Sequence, residues 1–243
     1  MHLIHPVPEG LRLLDTAIMP QPSPEALERA DSIWETLKAS RPGLFDGTLF
    51  SLDRFESGAA VGFVARYKWY AAQLEDPSLF PELRVRSLAL TGVVTANGHA
   101  IFGRRRPGLA IEGGLWEFAP SGTIDGVLRE PDGSVSWRGV FQEEMREELG
   151  LDIPAGLPAP FALVEDTVTN IWEMGVAAEL HLDHRDVLAA WAACPAPEHS
   201  ELAAVPLADV PRFLQVRGHE MVGATPFLAA ALGLAPTPGQ SGA

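Results

Sequence analysis

Four carboxylates crowd into the last two turns of one stretch, SWRGVFQEEMREELGL from Ser136 to Leu151: Glu143, Glu144, Glu147 and Glu148. Such a density of hard oxygen donors suits a hard divalent cation, because Mg²⁺ is held by one or two carboxylates while it keeps waters and takes substrate phosphates as further ligands. Read as a helix at about 100° per residue, the stretch places Phe141, Met145 and Leu149 on one apolar stripe and fans the four glutamates over about 140° on another side. The arrangement is poor for stability. Like charges at i,i+4 repel by roughly 0.2–0.5 kcal/mol a pair, and Gly150, the natural C′ residue, puts the acids at the negative end of the helix dipole. Only Arg146 offers local relief. A solvated acidic face is the plain reading; neutralisation by a bound cation is the sharper one.

The rest of the chain must position that helix. With 243 residues, 47% of them hydrophobic, it can bury one large core or two small ones. No apolar run approaches the ~20 residues that span a bilayer, and MHLIHPVPEG lacks the basic start and apolar core of a signal peptide. One cysteine, Cys194, excludes an intrachain disulfide and fits a reducing compartment, so a cytoplasmic protein without a membrane partner is expected. The formal charge of −14 argues against a nucleic-acid polymer as partner and leaves open a small phosphorylated molecule held by local cations and a metal.

In order, Pro22 to Arg41 reads as a helix capped by Ser23, Leu44–Phe55 and Ala59–Tyr67 as strands, and Tyr67–Glu75 as a short helix. Together they predict a small α/β module over residues 1–82. Val85–Ala96 reads as a buried strand that turns at Asn97-Gly98 into a second strand, Ala100–Arg104. This hairpin ends in Arg104-Arg105-Arg106, either a solubilising turn or, through the shape of guanidinium, a phosphate-binding group. Beyond the acidic helix, Pro160–Thr167 and Ile171–His181 alternate like strands, Asp183–Ala192 reads as a helix, and strand Leu202–Val205 leads to helices Leu207–Leu214 and Thr225–Leu234. Residues 235–243 lack apolar periodicity and read as a flexible tail. His181 and His184 have no evident third ligand, so they are weak candidates for a metal.

Glu144-Met145-Arg146-Glu147-Glu148-Leu149-Gly150-Leu151 resembles the end of the Nudix box, G-x5-E-x7-R-E-U-x-E-E-x-G-U, where U is bulky and aliphatic. The match is incomplete. The pattern's arginine falls on Glu143, its upstream glutamate on Val135, and its opening glycine corresponds to Gly122 only if Ile124–Val135 is an inserted loop. Upstream, Gly113 to Gly122, GGLWEFAPSG, is similar to the family's W-E-x-P-G-G approach to the box, where glycine lets a backbone carbonyl come close to a metal. The resemblance implies a Nudix-type α/β/α sandwich with a mixed sheet over residues 83–234. It further implies Mg²⁺, with Mn²⁺ as the alternative, on Glu144, Glu147, Glu148 and Gly122. Arg104 and Arg105 would lie beside the substrate.

The altered box and LFDGTLFSLDRF are similar to the branch of that family that cleaves uridine diphosphate sugars. The implied reaction is water attack on the diphosphate of UDP-glucose or a relative, giving UMP and a sugar 1-phosphate. One of Glu144, Glu147 and Glu148, or Glu201 on a later loop, would take the proton. Two alternatives stay open: another nucleoside diphosphate derivative as substrate, and a non-catalytic nucleotide-binding protein. Oligomeric state is not legible.

Overall fold

The strand that organises the molecule is SLALTGVVTA, Ser87–Ala96, apolar on both faces and paired on both edges. In this computed structural model the chain is described over residues 1–239 apart from Pro42, Ser57, Ala110, Ile111, Ala155 and Ala196. Ahead of the central strand come β1 (His2–Pro6), β2 (Arg12–Asp15), α1 (Pro24–Ser40), β3 (Thr48–Glu56), β4 (Ala59–Arg66), α2 (Tyr67–Glu75) and α3 (Phe80–Leu83). The central strand is β5; β6 (His99–Arg105), β7 (Trp116–Phe118), β8 (Ser121–Thr123) and α4 (Trp137–Leu149) follow. The chain continues through β9 (Ala159–Asp166), β10 (Ile171–Leu180), α5 (His184–Ala192), β11 (His199–Pro206), α6 (Val210–Val216) and α7 (Thr225–Ala231).

Among the described residues these strands form one mixed sheet. β5 runs parallel to β10 over its whole length and antiparallel to β6 and β8, while β2 is parallel to β4. Helices cover both faces. Leu88, Leu90, Val94 and Ala96 of β5 pack with Phe141, Met145 and Leu149 of α4 and Val187 of α5. Val93 of the same strand packs instead with Val210 and Leu214 of α6 and Leu228 of α7. The alternation is the period of two that a strand buried on both faces requires. The expected mixed-sheet α/β architecture with helices on both sides is therefore present.

The N-terminal segment contributes to the same sheet. β3 meets β5 at Ser51 opposite Ser87, and β1 pairs with β9, His2 opposite Asp166. α1 and α2 pack with β3 and β4 around Ala30, Leu49, Phe63 and Tyr70. The expected boundary after residue 82 falls within α3. Leu234 and Ala235 pack against the α6–α7 cluster, and residues 240–243 of the expected tail lie outside the described residues. No helix among the described residues is long and apolar enough to cross a membrane.

Several ends differ from the sequence reading. α6 starts at Val210 because Leu207–Asp209 forms a 3₁₀ turn and Pro211, which has no N–H, occupies the first helical turn. α7 stops at Ala231: Gly233 takes φ +70°, and the Leu234 N–H reaches back to the Ala229 carbonyl. β1 and β2 were not expected as strands, since each is short and finds its hydrogen bonds only on a partner far along the chain.

The acidic helix is specified locally at both ends. Ser136 Oγ accepts the Gly139 N–H at 2.9 Å and donates to Glu130, and Gly150 ends the helix at φ +69°. Ser136→Ala should lower stability by about 1 kcal/mol, read as a lower urea midpoint at unchanged slope. An unchanged midpoint would show that the cap contributes nothing here.

Candidate functional site

α4 does not separate its apolar and acidic sides as the sequence reading expected. Glu148 lies seven residues after Phe141, about 20° from it around the helix, so it falls on the packing stripe and is buried with Phe141, Met145 and Leu149. Glu143 and Glu147 are exposed, and Glu144 lies between. Three environments thus divide four glutamates.

β8 receives the two inner ones. Glu148 Oε2 accepts the Ser121 N–H at 2.9 Å, while its Oε1 is buried without a hydrogen-bond partner. Glu144 lies against Gly122 so closely that a Cβ there would fall 1.8 Å from its Oε1. Only glycine permits this approach.

The three adjoining strands β6, β7 and β11 bring a second set of groups. Arg105 Nη1 donates to Glu117 Oε1 at 2.8 Å, and His199 Nε2 bonds the same oxygen at 3.1 Å. All three side chains are largely withdrawn from water. A cavity of about 280 Å³ opens where β5, β8 and β10 meet α4, lined by Arg105, Glu112, Glu117, Glu144, Glu173 and Glu198 among others, with Gly122 also at its wall.

The electrostatics follow from crowding acids where water is scarce. Burial, then Glu198, Glu147, Glu143 and Glu117, push the Glu144 carboxyl up to about 8. Burial followed by Glu144, Glu117 and Glu198 raises Glu148 well above the ordinary carboxylate range, against the pull of the Ser121 N–H. Glu173 rises to about 7 through burial, opposed by a hydrogen bond from Thr91.

Of the residues singled out in the sequence, Glu144, Arg105 and Gly122 line the cavity, and Glu148 lies buried beside Ser121. Glu147 is exposed on the next face of α4. Arg104 donates to the Gly114 carbonyl and sits 4.0 Å from Glu201; neither lines the cavity. Three residues before Glu201, it is Glu198 that does. Glu117, Glu173, Glu112 and His199 were not expected as site residues. Glu117 stands in the WEFAPSG motif, and the position of Glu148 relative to Phe141 was readable from helical spacing; Glu173 and His199 left no comparable signal.

The cluster has the chemistry of a cation site: a buried carboxylate oxygen without a partner, a second carboxylate seated on a glycine, and mutual repulsion that a divalent ion would relieve. Among the described residues no three His, Cys, Asp or Glu side chains already surround one point as a ligand shell. Glu144 and Glu148 fit a metal in type and burial, and further ligands would come from elsewhere.

No family model matches the chain, and no curated protein matches it. Among solved structures it is similar to DR0079 of Deinococcus radiodurans, 14% identical, covering 77% of this chain and 98% of that one at a TM-score of 0.48. It is also similar to a NUDIX hydrolase from Alicyclobacillus acidocaldarius, 13% identical, covering 60% and 91% at 0.44. A third is the NUDIX domain of Shewanella oneidensis NrtR complexed with ADP ribose, 20% identical, covering 58% and 86% at 0.38. These are likenesses of general outline.

The raised carboxyls make stability depend on pH. A carboxyl that titrates higher in the folded than in the unfolded chain leaves the folded state holding more protons between about pH 4.5 and about pH 8, so stability falls as pH rises through that window. In chelator, the melting temperature should decline from about pH 5 to about pH 8. Millimolar Mg²⁺ should recover much of the loss at the upper end. A chelated protein whose melting temperature climbs across this range would contradict the burial of uncompensated acids.

Proposed function

We propose that the chain is a metal-dependent hydrolase of the diphosphate bond in a nucleoside diphosphate derivative, with a uridine diphosphate sugar as its substrate. The observation that carries the reading is the pair Glu144 and Glu148, a half-buried and a buried carboxylate held at a glycine-lined wall, with one oxygen of Glu148 unpartnered. The similarity of the box and of LFDGTLFSLDRF to the branch that cleaves uridine diphosphate sugars supports the substrate. The alternatives remain a different nucleoside diphosphate derivative and a binding protein without turnover.

Glu144 and Glu148 would hold Mg²⁺ or Mn²⁺, with Glu147 and the backbone at Gly122 as further candidate ligands. When bound, such an ion offsets charge on the bridging oxygens and lowers the pKa of the attacking water. The protein's own groups do the rest. Arg105 reaches the cavity with Nη1 on Glu117 and Nη2 4.0 Å from Glu198, so the guanidinium is braced at the wall where a phosphate oxygen would meet it. Glu198, exposed at the cavity and 4.0 Å from Arg105, takes the role of proton acceptor first considered for Glu201. A carboxylate at the mouth of the cavity stands where it can take a proton from an attacking water.

UDP-glucose, ADP-ribose and nucleoside triphosphates should be assayed side by side with Mg²⁺ and Mn²⁺, the highest turnover being expected on the UDP-sugar. Glu148→Gln and Glu144→Gln should each lower kcat by orders of magnitude with the fold intact. Glu198→Gln should lower kcat by about 10²-fold or more, whereas Glu201→Gln should leave it near the wild-type value. Nucleotide binding without metal-dependent turnover on any of these substrates would replace the hydrolase by a binding protein.

A further inference from the structure

Among the buried groups that the proposed function leaves without a role is a histidine. His199, at the start of β11, is 1% exposed and stands between two acids: Nε2 lies 3.1 Å from Glu117 Oε1, and Nδ1 lies 3.7 Å from Glu148 Oε2. That Nδ1 is buried and has no hydrogen-bond partner. Gly103 of β6, directly opposite Glu117 in the β6–β7 pairing, makes the room; a Cβ on it would fall 2.4 Å from the imidazole. The ring therefore lies flat on a strand backbone, in a lane that any other side chain would close.

The neighbours restrict its motion. Arg105 fixes Glu117 from the other side at 2.8 Å, so the Nε2 contact anchors the ring to a group that is itself held. Glu148 is addressed on one oxygen only: Oε2 takes the Ser121 N–H and faces Nδ1, while Oε1 has no protein partner. A shift of about 1 Å would bring Nδ1 into hydrogen-bond range of Oε2.

We propose that His199 is a positioning residue for Glu148, holding the Oε2 side of the carboxylate so that Oε1 is the oxygen offered to a divalent cation. The proposal rests on the metal-dependent reading above and adds a residue that the box does not contain. Groups of this kind behind a ligand orient it, and their loss typically costs 10–100-fold in metal affinity.

Calorimetric titration of the full chain with Mn²⁺, in the absence of substrate, tests it, with the melting temperature in chelator as the check on folding. His199→Ala should bind Mn²⁺ at least about tenfold more weakly than the wild type. His199→Asn, which keeps a donor where Nδ1 lies, should recover most of the affinity. His199→Gln, which keeps only a donor towards Glu117, should recover little, and a merely structural role would not separate these two. Wild-type affinity in a folded His199→Ala overturns the proposal. Should that variant not fold, equal affinities for the Asn and Gln variants overturn it instead. A wild-type protein that binds no Mn²⁺ removes the metal-dependent reading along with it, whereas wild-type binding with equal affinities throughout removes only the role of His199.

Discussion

Everything at this site depends on the burial of Glu148 within the apolar face of α4. A carboxylate there loses its hydration, and the cost is met in part by one backbone N–H from Ser121. Its position obliges β8 to run close beneath the helix, and that closeness in turn requires glycine at residue 122, where the Glu144 carboxylate rests. The loop before α4 is folded to allow this: Ser136 closes onto Glu130, and the Val135 N–H donates to the Leu13 carbonyl of β2. A strained acidic centre is thus built on a locally well-capped helix.

The strands on the other side of the cavity provide partial compensation. Glu117 is a buried acid as well, but Arg105 and His199 both bind its Oε1. Arg105 is therefore a braced cation whose charge is largely offset, and the remaining acids, Glu144, Glu148 and Glu173, have no equivalent counterion beside them. Their raised pKa values express that imbalance, which a divalent ion and the phosphates of a ligand could share between them. In a chain of formal charge −14, the cavity concentrates the same sign that covers the whole molecule, so an anionic ligand would enter on metal and Arg105 and not on the general field.

Local rules made much of the fold legible. The Ser23 cap, the αL Gly150, the Asn97-Gly98 turn and the continuous apolar run of β5 each arise from a few neighbouring residues, and each is where the sequence put it. The alternation of helical and strand periods marks the α/β class, while the mixed sheet was implied by the resemblance of the box; the glutamates of α4 announce themselves by type and spacing alone.

What only the tertiary structure decided is which acids share a space. Glu201 was the expected later carboxylate, yet a bulge between His199 and Glu201 breaks the period of two in β11, so the face on which each side chain emerges cannot be counted along the sequence. Glu198 reaches the cavity instead. Arg104 and Arg105 are adjacent and chemically alike, but successive strand residues point to opposite faces, and pairing with β7 and β11 fixes which face is the cavity. Glu117, Glu173 and His199 come together from strands separated by dozens of residues, and β1 and β2 exist only because distant partners supply their hydrogen bonds. The sequence determined the elements and the chemistry they carry; register, bulges and the crossing of α4 over β8 determined the site, because those depend on contacts that no local pattern encodes.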